Sequence, residues 1–142
     1  NSYGYFGGGV INPPPGTIIN TITKLDFSNE TVSDPGNNLN PARAAAAGVS
    51  NNSYAYFGGG GIPTLISTIT RLDFSNETVS DPGKNLNPER SAATGVSNNF
   101  YGYFGGGYAP ITRLDFSNET VSNPGQTSIS DRRFAAGVTN SN

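Results

Sequence analysis

Leu25–Gly36 and Leu72–Gly83 are identical at all twelve positions, and Leu114–Gly125 departs from them only at Asn123. No other feature constrains the fold as tightly. The corresponding aspartates Asp26, Asp73 and Asp115 lie 47 and 42 residues apart. A period of this size marks one supersecondary unit that cannot cover its own apolar faces and must stack against its neighbours. Each unit contains a near-identical run, at Tyr3–Gly9, Tyr54–Gly60 and Tyr101–Gly107, an aromatic stretch entering a glycine triplet. The 142 residues read as a single repeat domain, with repeat 1 about 1–43, repeat 2 about 44–90, repeat 3 about 91–132 and a closing strand about 133–142.

Each unit parses into four short strands. In the second, Ala44–Ser50 is small and apolar and ends at the polar pair Asn51-Asn52. Tyr54–Phe57 alternates large and small residues up to Gly58-Gly59-Gly60. Ile69–Phe74 alternates again before a Ser75-Asn76 turn, and Glu77–Ser80 is stopped by Asp81-Pro82-Gly83. Strict alternation signals strands, and Asn, Asp, Pro and Gly signal the turns between them. Both sides of these strands carry bulk, as expected of sheets covered on both faces. No window shows the 3.6-residue period of a helix. The stretch after each glycine triplet varies in length, from Val10–Thr21 through Gly61–Thr68 to Tyr108–Pro110, and therefore reads as a surface connection. Four strands in somewhat under 50 residues is the arithmetic of a propeller blade. A β-solenoid has shorter repeats, and a β-sandwich needs none.

The composition narrows the chemistry. Cys and His are absent, as are Met and Trp, so neither a disulfide framework nor a Cys/His metal site can be built. Lys and Arg number 8 against 10 acidic residues, which is no electrostatic footprint for nucleic acid. No apolar run is long enough to span a bilayer as a helix. The net charge of −2 and the regularly recurring Tyr, Phe and Ile argue against disorder.

The order of these features resembles the kelch repeat. Tyr5-Phe6-Gly7-Gly8, Leu25-Asp26 and Arg43 before Ala46-Ala47-Gly48 follow the kelch sequence of strand, glycine doublet, aspartate strand and arginine. Phe57-Gly58-Gly59, Leu72-Asp73 and Arg90 repeat it, as do Phe104-Gly105-Gly106, Leu114-Asp115 and Arg133. The outer-strand Trp of kelch repeats has no counterpart, and Val32, Val79 and Val121 stand near its place. The resemblance covers nearly the whole chain and implies a kelch-like β-propeller of the divergent kind found on bacterial and phage surfaces.

The chain opens in the second strand of a unit and closes in what reads as a first strand, Arg133–Val138. The expected architecture is therefore all-β, three four-stranded antiparallel repeats with one blade split between the termini. Three blades are too few for a ring, since propellers have roughly four to eight. Two expectations follow with equal weight. The terminal strand of one chain completes the first blade of another, so that chains self-associate by strand exchange; or the chain is a section of a longer propeller.

The recurring polar and glycine positions are the candidate sites. Gly7, Gly8, Gly58, Gly59, Gly105 and Gly106 lack the Lys-Ser/Thr and helix of a phosphate loop, and read as strand-end bulges. Asn29, Asn76, Asn118 and Asn51 fit the N-glycosylation pattern, although a turn explains them as well. Arg43, Arg90 and Arg133 read as structural forks on carbonyls or a carboxylate rather than a ligand ring. Asp26, Asp73 and Asp115 read as turn caps, and a calcium site of Asp26, Asn29 and Glu30 matches no known loop spacing. No catalytic residue, metal or cofactor is expected, because a catalytic carboxylate pair needs two different environments and these repeats offer near-identical ones. The expected function is a non-enzymatic structural or adhesive module of a cell-surface, extracellular or virion assembly, with a protein or glycan ligand. An intracellular kelch-type adaptor ranks second, and a glycosidase or lyase of propeller fold last.

Overall fold

The computed structural model describes residues 2–11, 16–61, 64–126 and 132–140. Parts of the variable connections, the first residue and the last two of the expected closing strand lie outside them.

Eleven strands form three antiparallel sheets among the described residues. The first sheet holds β1 (Tyr3–Ile11), β2 (Thr17–Asp26) and β3 (Val32–Ser33). The second holds β4 (Ala47–Ser50), β5 (Tyr54–Gly58), β6 (Ile69–Asp73) and β7 (Val79–Ser80). The third holds β8 (Ala93–Ser97), β9 (Tyr101–Gly106), β10 (Thr112–Asp115) and β11 (Val121–Ser122). Every sheet is a meander in chain order. The protein is therefore all-β, as the alternation and turn residues dictate.

Within one chain the split blade is not joined. The first sheet has three strands, and no described residue of the C-terminal segment pairs with β1 to make a fourth. Residues 132–140 instead run beside β8 without forming a ladder. The Phe134 amide donates to the Ala92 carbonyl at 2.9 Å, and the Ser97 amide donates to Thr139 Oγ1 at 3.1 Å. The Ala92 amide donates in the same way to the Ala45 carbonyl, also at 2.9 Å. Ala45, Ala92 and Phe134 share a left-handed backbone, with φ of 54°, 54° and 55°. The C-terminal segment thus stands one repeat beyond β8, at the place equivalent to β4 and β8.

The sheets touch where glycine faces a phenylalanine. A Cβ on Gly7 would lie 2.9 Å from Phe57 Cε1, and one on Gly58 would lie 2.7 Å from Phe104 Cε1. Hydrogen is the only substituent that leaves room for each ring. Phe57 is 7% exposed and Phe104 0%, whereas the equivalent Phe6 is 62% exposed. Burying such a ring stabilises by about 1.5–3 kcal/mol. One core groups Ile22, Leu39, Ala55, Phe57 and Leu72 between the first two sheets. The other groups Val49, Tyr56, Ile69, Leu86, Phe104 and Leu114 between the second and third. The first strands of successive sheets approach still more closely, with the Gly48 carbonyl of β4 against Gly95 of β8 and the Gly95 carbonyl against Gly137.

Candidate functional site

The repeated polar residues converge on the joints between sheets, and these joints are the most elaborated chemistry of the molecule. Arg43 and Arg90 lie at the entries to the second and third sheets and are fully buried. The Arg43 Nη1 donates to the carbonyls of Phe57 (3.1 Å), Gly59 (3.3 Å) and Thr68 (2.8 Å). Its Nη2 donates to Thr70 Oγ1 at 2.7 Å and to the Asn40 carbonyl at 3.3 Å, and its Nε to the Pro41 carbonyl at 3.3 Å. Arg90 repeats the pattern on Phe104 (3.2 Å), Pro110 (2.7 Å) and Thr112 Oγ1 (2.5 Å). Burial pulls both guanidinium pKa values below the ordinary arginine value, opposed at Arg43 by the charge of Asp81. Among the described residues no carboxylate bonds either guanidinium, and the planar fork is satisfied by carbonyl and hydroxyl oxygens.

The arginine carbonyls tie each unit to the one before. Gly9 donates to the Arg43 carbonyl at 2.9 Å, Gly60 to that of Arg90 at 2.7 Å, and Gly107 to that of Arg132 at 2.9 Å. The third repeat position therefore belongs to Arg132, not to Arg133. Arg133 is exposed, and its guanidinium stacks over Tyr108 at 5.3 Å and Phe134 at 5.5 Å. Spacing carried the signal. Arg43, Arg90 and Arg132 each follow the glycine of their Pro-Gly turn by seven residues. The backbone approach also accounts for Gly8, Gly59 and Gly106, at φ of 72°, 66° and 81°, which face those carbonyls. In β1 the register shifts between Gly7 and Gly9 as a bulge.

A second polar contact crosses each joint. Glu77 Oε1 accepts from Tyr5 at 3.0 Å and from Lys24 at 2.5 Å. Glu119 Oε1 accepts from Tyr56 at 3.0 Å and from Arg71 at 2.7 Å. Burial, then the Glu77 carboxylate, pushes the Tyr5 phenol up to about 12. Burial and Glu119 raise Tyr56 as well. The Lys24 hydrogen bond holds Glu77 below the usual carboxylate range, with burial opposing it. Tyr5 also stacks on Phe74 at 5.3 Å, and Tyr56 on Phe116 at 5.4 Å. Sequence reading did not single out these glutamates. Their recurrence within an identical segment was the available signal.

Glu30, Glu77 and Glu119 all sit at φ near 58° in one kind of turn. Asp26, Asp73 and Asp115 build its first half, each accepting from the amide and hydroxyl of the serine two residues on. Those bonds hold all three carboxyls below their ordinary range. Asn29, Asn76 and Asn118 build the second half through the amide and hydroxyl of Thr31, Thr78 and Thr120. These asparagines are exposed, with Oδ1 engaged inside the turn. Asn51 Oδ1 accepts from the Ser53 and Tyr54 amides, both at 2.8 Å. The Asp26 and Asn29 oxygens that a calcium site would have needed are turn acceptors.

An open cleft of about 390 Å³ lies on the outer side of the third sheet, between Thr94, Val96, Tyr103, Gly105, Ile111 and Ala135. Among the described residues no helix is long and apolar enough to cross a membrane.

These joints define a repeat protein of stacked antiparallel sheets. A solved structure described as the structure of YjhT shares this fold, with a TM-score of 0.74 at 15% identity over 92% of this chain and 51% of that one. The chain therefore spans about half the length of that structure. No protein-family model matches the sequence, and comparison with curated proteins finds no relative.

Proposed function

We propose that the chain is a non-enzymatic structural and binding module, a run of kelch-like propeller blades. It joins head to tail with its like at a cell surface, in an extracellular fibre or on a virion, and offers its variable hairpins to a protein or glycan. One division of labour carries this reading. The side chains that recur are committed to the fold itself: Glu77 and Glu119 bond across the joints between sheets, Arg43 and Arg90 bond carbonyls and hydroxyls of the sheet each one enters, and Asp26 and Asn29 close a turn. The connections that vary after the glycine triplets instead carry exposed Val10, Ile11, Leu65 and Tyr108. The glycine-lined approach of successive inner strands supports a radial arrangement, because sheets converge most closely where a propeller has its axis. Repeated weak contacts on one rim suit binding by avidity.

The test is a glycan array and a protein-capture screen with the intact chain, beside chains carrying Leu65→Ser and Tyr108→Ser. Binding that falls in the two variants supports the hairpin rim as the binding face. Binding that ignores them, or turnover in a hydrolase panel, overturns the reading. A three-blade section of a longer propeller is the second reading, and the 51% coverage of a longer chain of this fold favours it.

A further inference from the structure

We propose that the two outer faces of the stack are a matched plug and socket, and that the occupant of each is a second copy of this chain. The proposal rests on the head-to-tail reading above and names the contacts that would make it.

Both internal joints are built alike. The following sheet supplies a phenylalanine, a second aromatic ring and a glutamate. The preceding sheet supplies a glycine, a tyrosine and a cation. Phe57, Phe74 and Glu77 meet Gly7, Tyr5 and Lys24. Phe104, Phe116 and Glu119 meet Gly58, Tyr56 and Arg71.

The first sheet presents the same plug outward. Phe6 and Phe27 are exposed, and Glu30 stands exposed in the same left-handed turn as its two equivalents. The third sheet presents the same socket outward. Around Gly105, among the described residues, only Ile111 Cγ1 comes within 4 Å of a Cβ position, at 3.9 Å. Arg113 already holds the joint pose. Its Nε donates to Ser122 Oγ at 3.3 Å and its guanidinium covers Tyr101 at 4.9 Å, as Arg71 does with Ser80 at 3.3 Å and Tyr54 at 4.9 Å. No carboxylate ion-pairs with Arg113 among the described residues.

The charges are complementary, Glu30 on one face and Arg113 on the other. The inner strands agree with the pairing. The space beside Gly48 is open where Gly95 and Gly137 each meet a glycine carbonyl. Transferring the β4–β5 register by repeat position would set Ala136 opposite Gly7, Gly137 opposite Phe6 and Val138 opposite Tyr5 of the second copy. That strand would add a fourth member to the three that the first sheet holds among the described residues. Two copies would also match the length of the solved chain of which one copy covers 51%.

The test is sedimentation of the 142-residue chain over a range of concentrations, with Glu30→Arg, Arg113→Glu and the double variant, each checked for native circular dichroism. The expected result is self-association of the unaltered chain, weakened about tenfold or more by either single change and largely recovered in the double variant. Phe6→Ala, which adds no charge, should weaken association as well. A chain that associates but ignores the single variants, or a folded double variant that recovers nothing, overturns this pairing and leaves head-to-tail assembly through other contacts standing. A monomer at every concentration overturns both.

Discussion

The carbonyl oxygen of Gly48 occupies the space that a side chain on Gly95 would need. Gly48 holds the same repeat position, yet nothing lies within 4 Å of where its own Cβ would be. Neither residue is at positive φ, so the difference is one of contact alone. Gly95→Ala should therefore destabilise by about 1–3 kcal/mol, because backbone rather than a flexible side chain must yield. Gly48→Ala should change the stability of the single chain by less than about 0.5 kcal/mol. Urea unfolding of the two variants side by side checks this.

Arg90 supports a second prediction. Arg90→Ala removes the donor to the Phe104 and Pro110 carbonyls and leaves the buried Thr112 hydroxyl only its 3.5 Å bond to the Asn87 carbonyl. A buried group left without its partner costs about 1–3 kcal/mol, so the expected loss is about 3 kcal/mol or more. Arg90→Lys keeps the charge and loses the fork, and should recover only part of that loss. Equilibrium unfolding of both variants measures the difference.

At alkaline pH, Tyr5 should ionise late. Its folded pKa is raised to about 12 by burial first and by Glu77 second. The unfolded phenol titrates near 10. A raised pKa contributes stability that is complete below the unfolded value and disappears as pH climbs through the folded one. The loss should therefore run from roughly pH 10 to 12. Glu77→Gln should bring Tyr5 part of the way back, since burial remains. The phenolate absorbance, compared with a Tyr5→Phe chain, reads the shift.

In acid the sign reverses. Lys24 depresses Glu77, so its stabilisation is complete above the unfolded carboxylate pKa of about 4.3 and is lost as pH falls through the lower folded value. Glu77→Gln should flatten the acid limb of the stability curve. An acid limb of unchanged slope in that variant would refute the assignment.

How much of this the residues disclosed depends on whether a feature repeats within one unit or arises between units. Period-two alternation around Leu72 and the Asp-Pro-Gly stops located the strands to within a few residues. Strand β7 is shorter than Glu77–Ser80 because Glu77 takes the left-handed turn that Asn76 sets up. At the third arginine, Arg132 and Arg133 are adjacent and residue type alone does not choose between them, although the seven-residue spacing from Gly125 selects Arg132. The carbonyl bond from Gly107 selects it too. The expectation of a strand at Arg133–Val138 met a different limit. That segment has the right residues, but a ladder needs a partner strand, and β8 offers only its flank. The glutamate joints were the least legible, since Glu77 and Tyr5 are 72 residues apart and meet only through stacking.

The joint between sheets is not symmetric: glutamate and phenylalanine come from one side, glycine and cation from the other. A stack made this way is vectorial, like a row of jigsaw pieces that all point the same way. Two leading ends would set Glu30 against Glu30, and two trailing ends Arg113 against Arg113, so mirror-wise pairing is rejected by like charge. If copies join by the proposed contact, growth would proceed in one sense only and would stop when the last piece met the first.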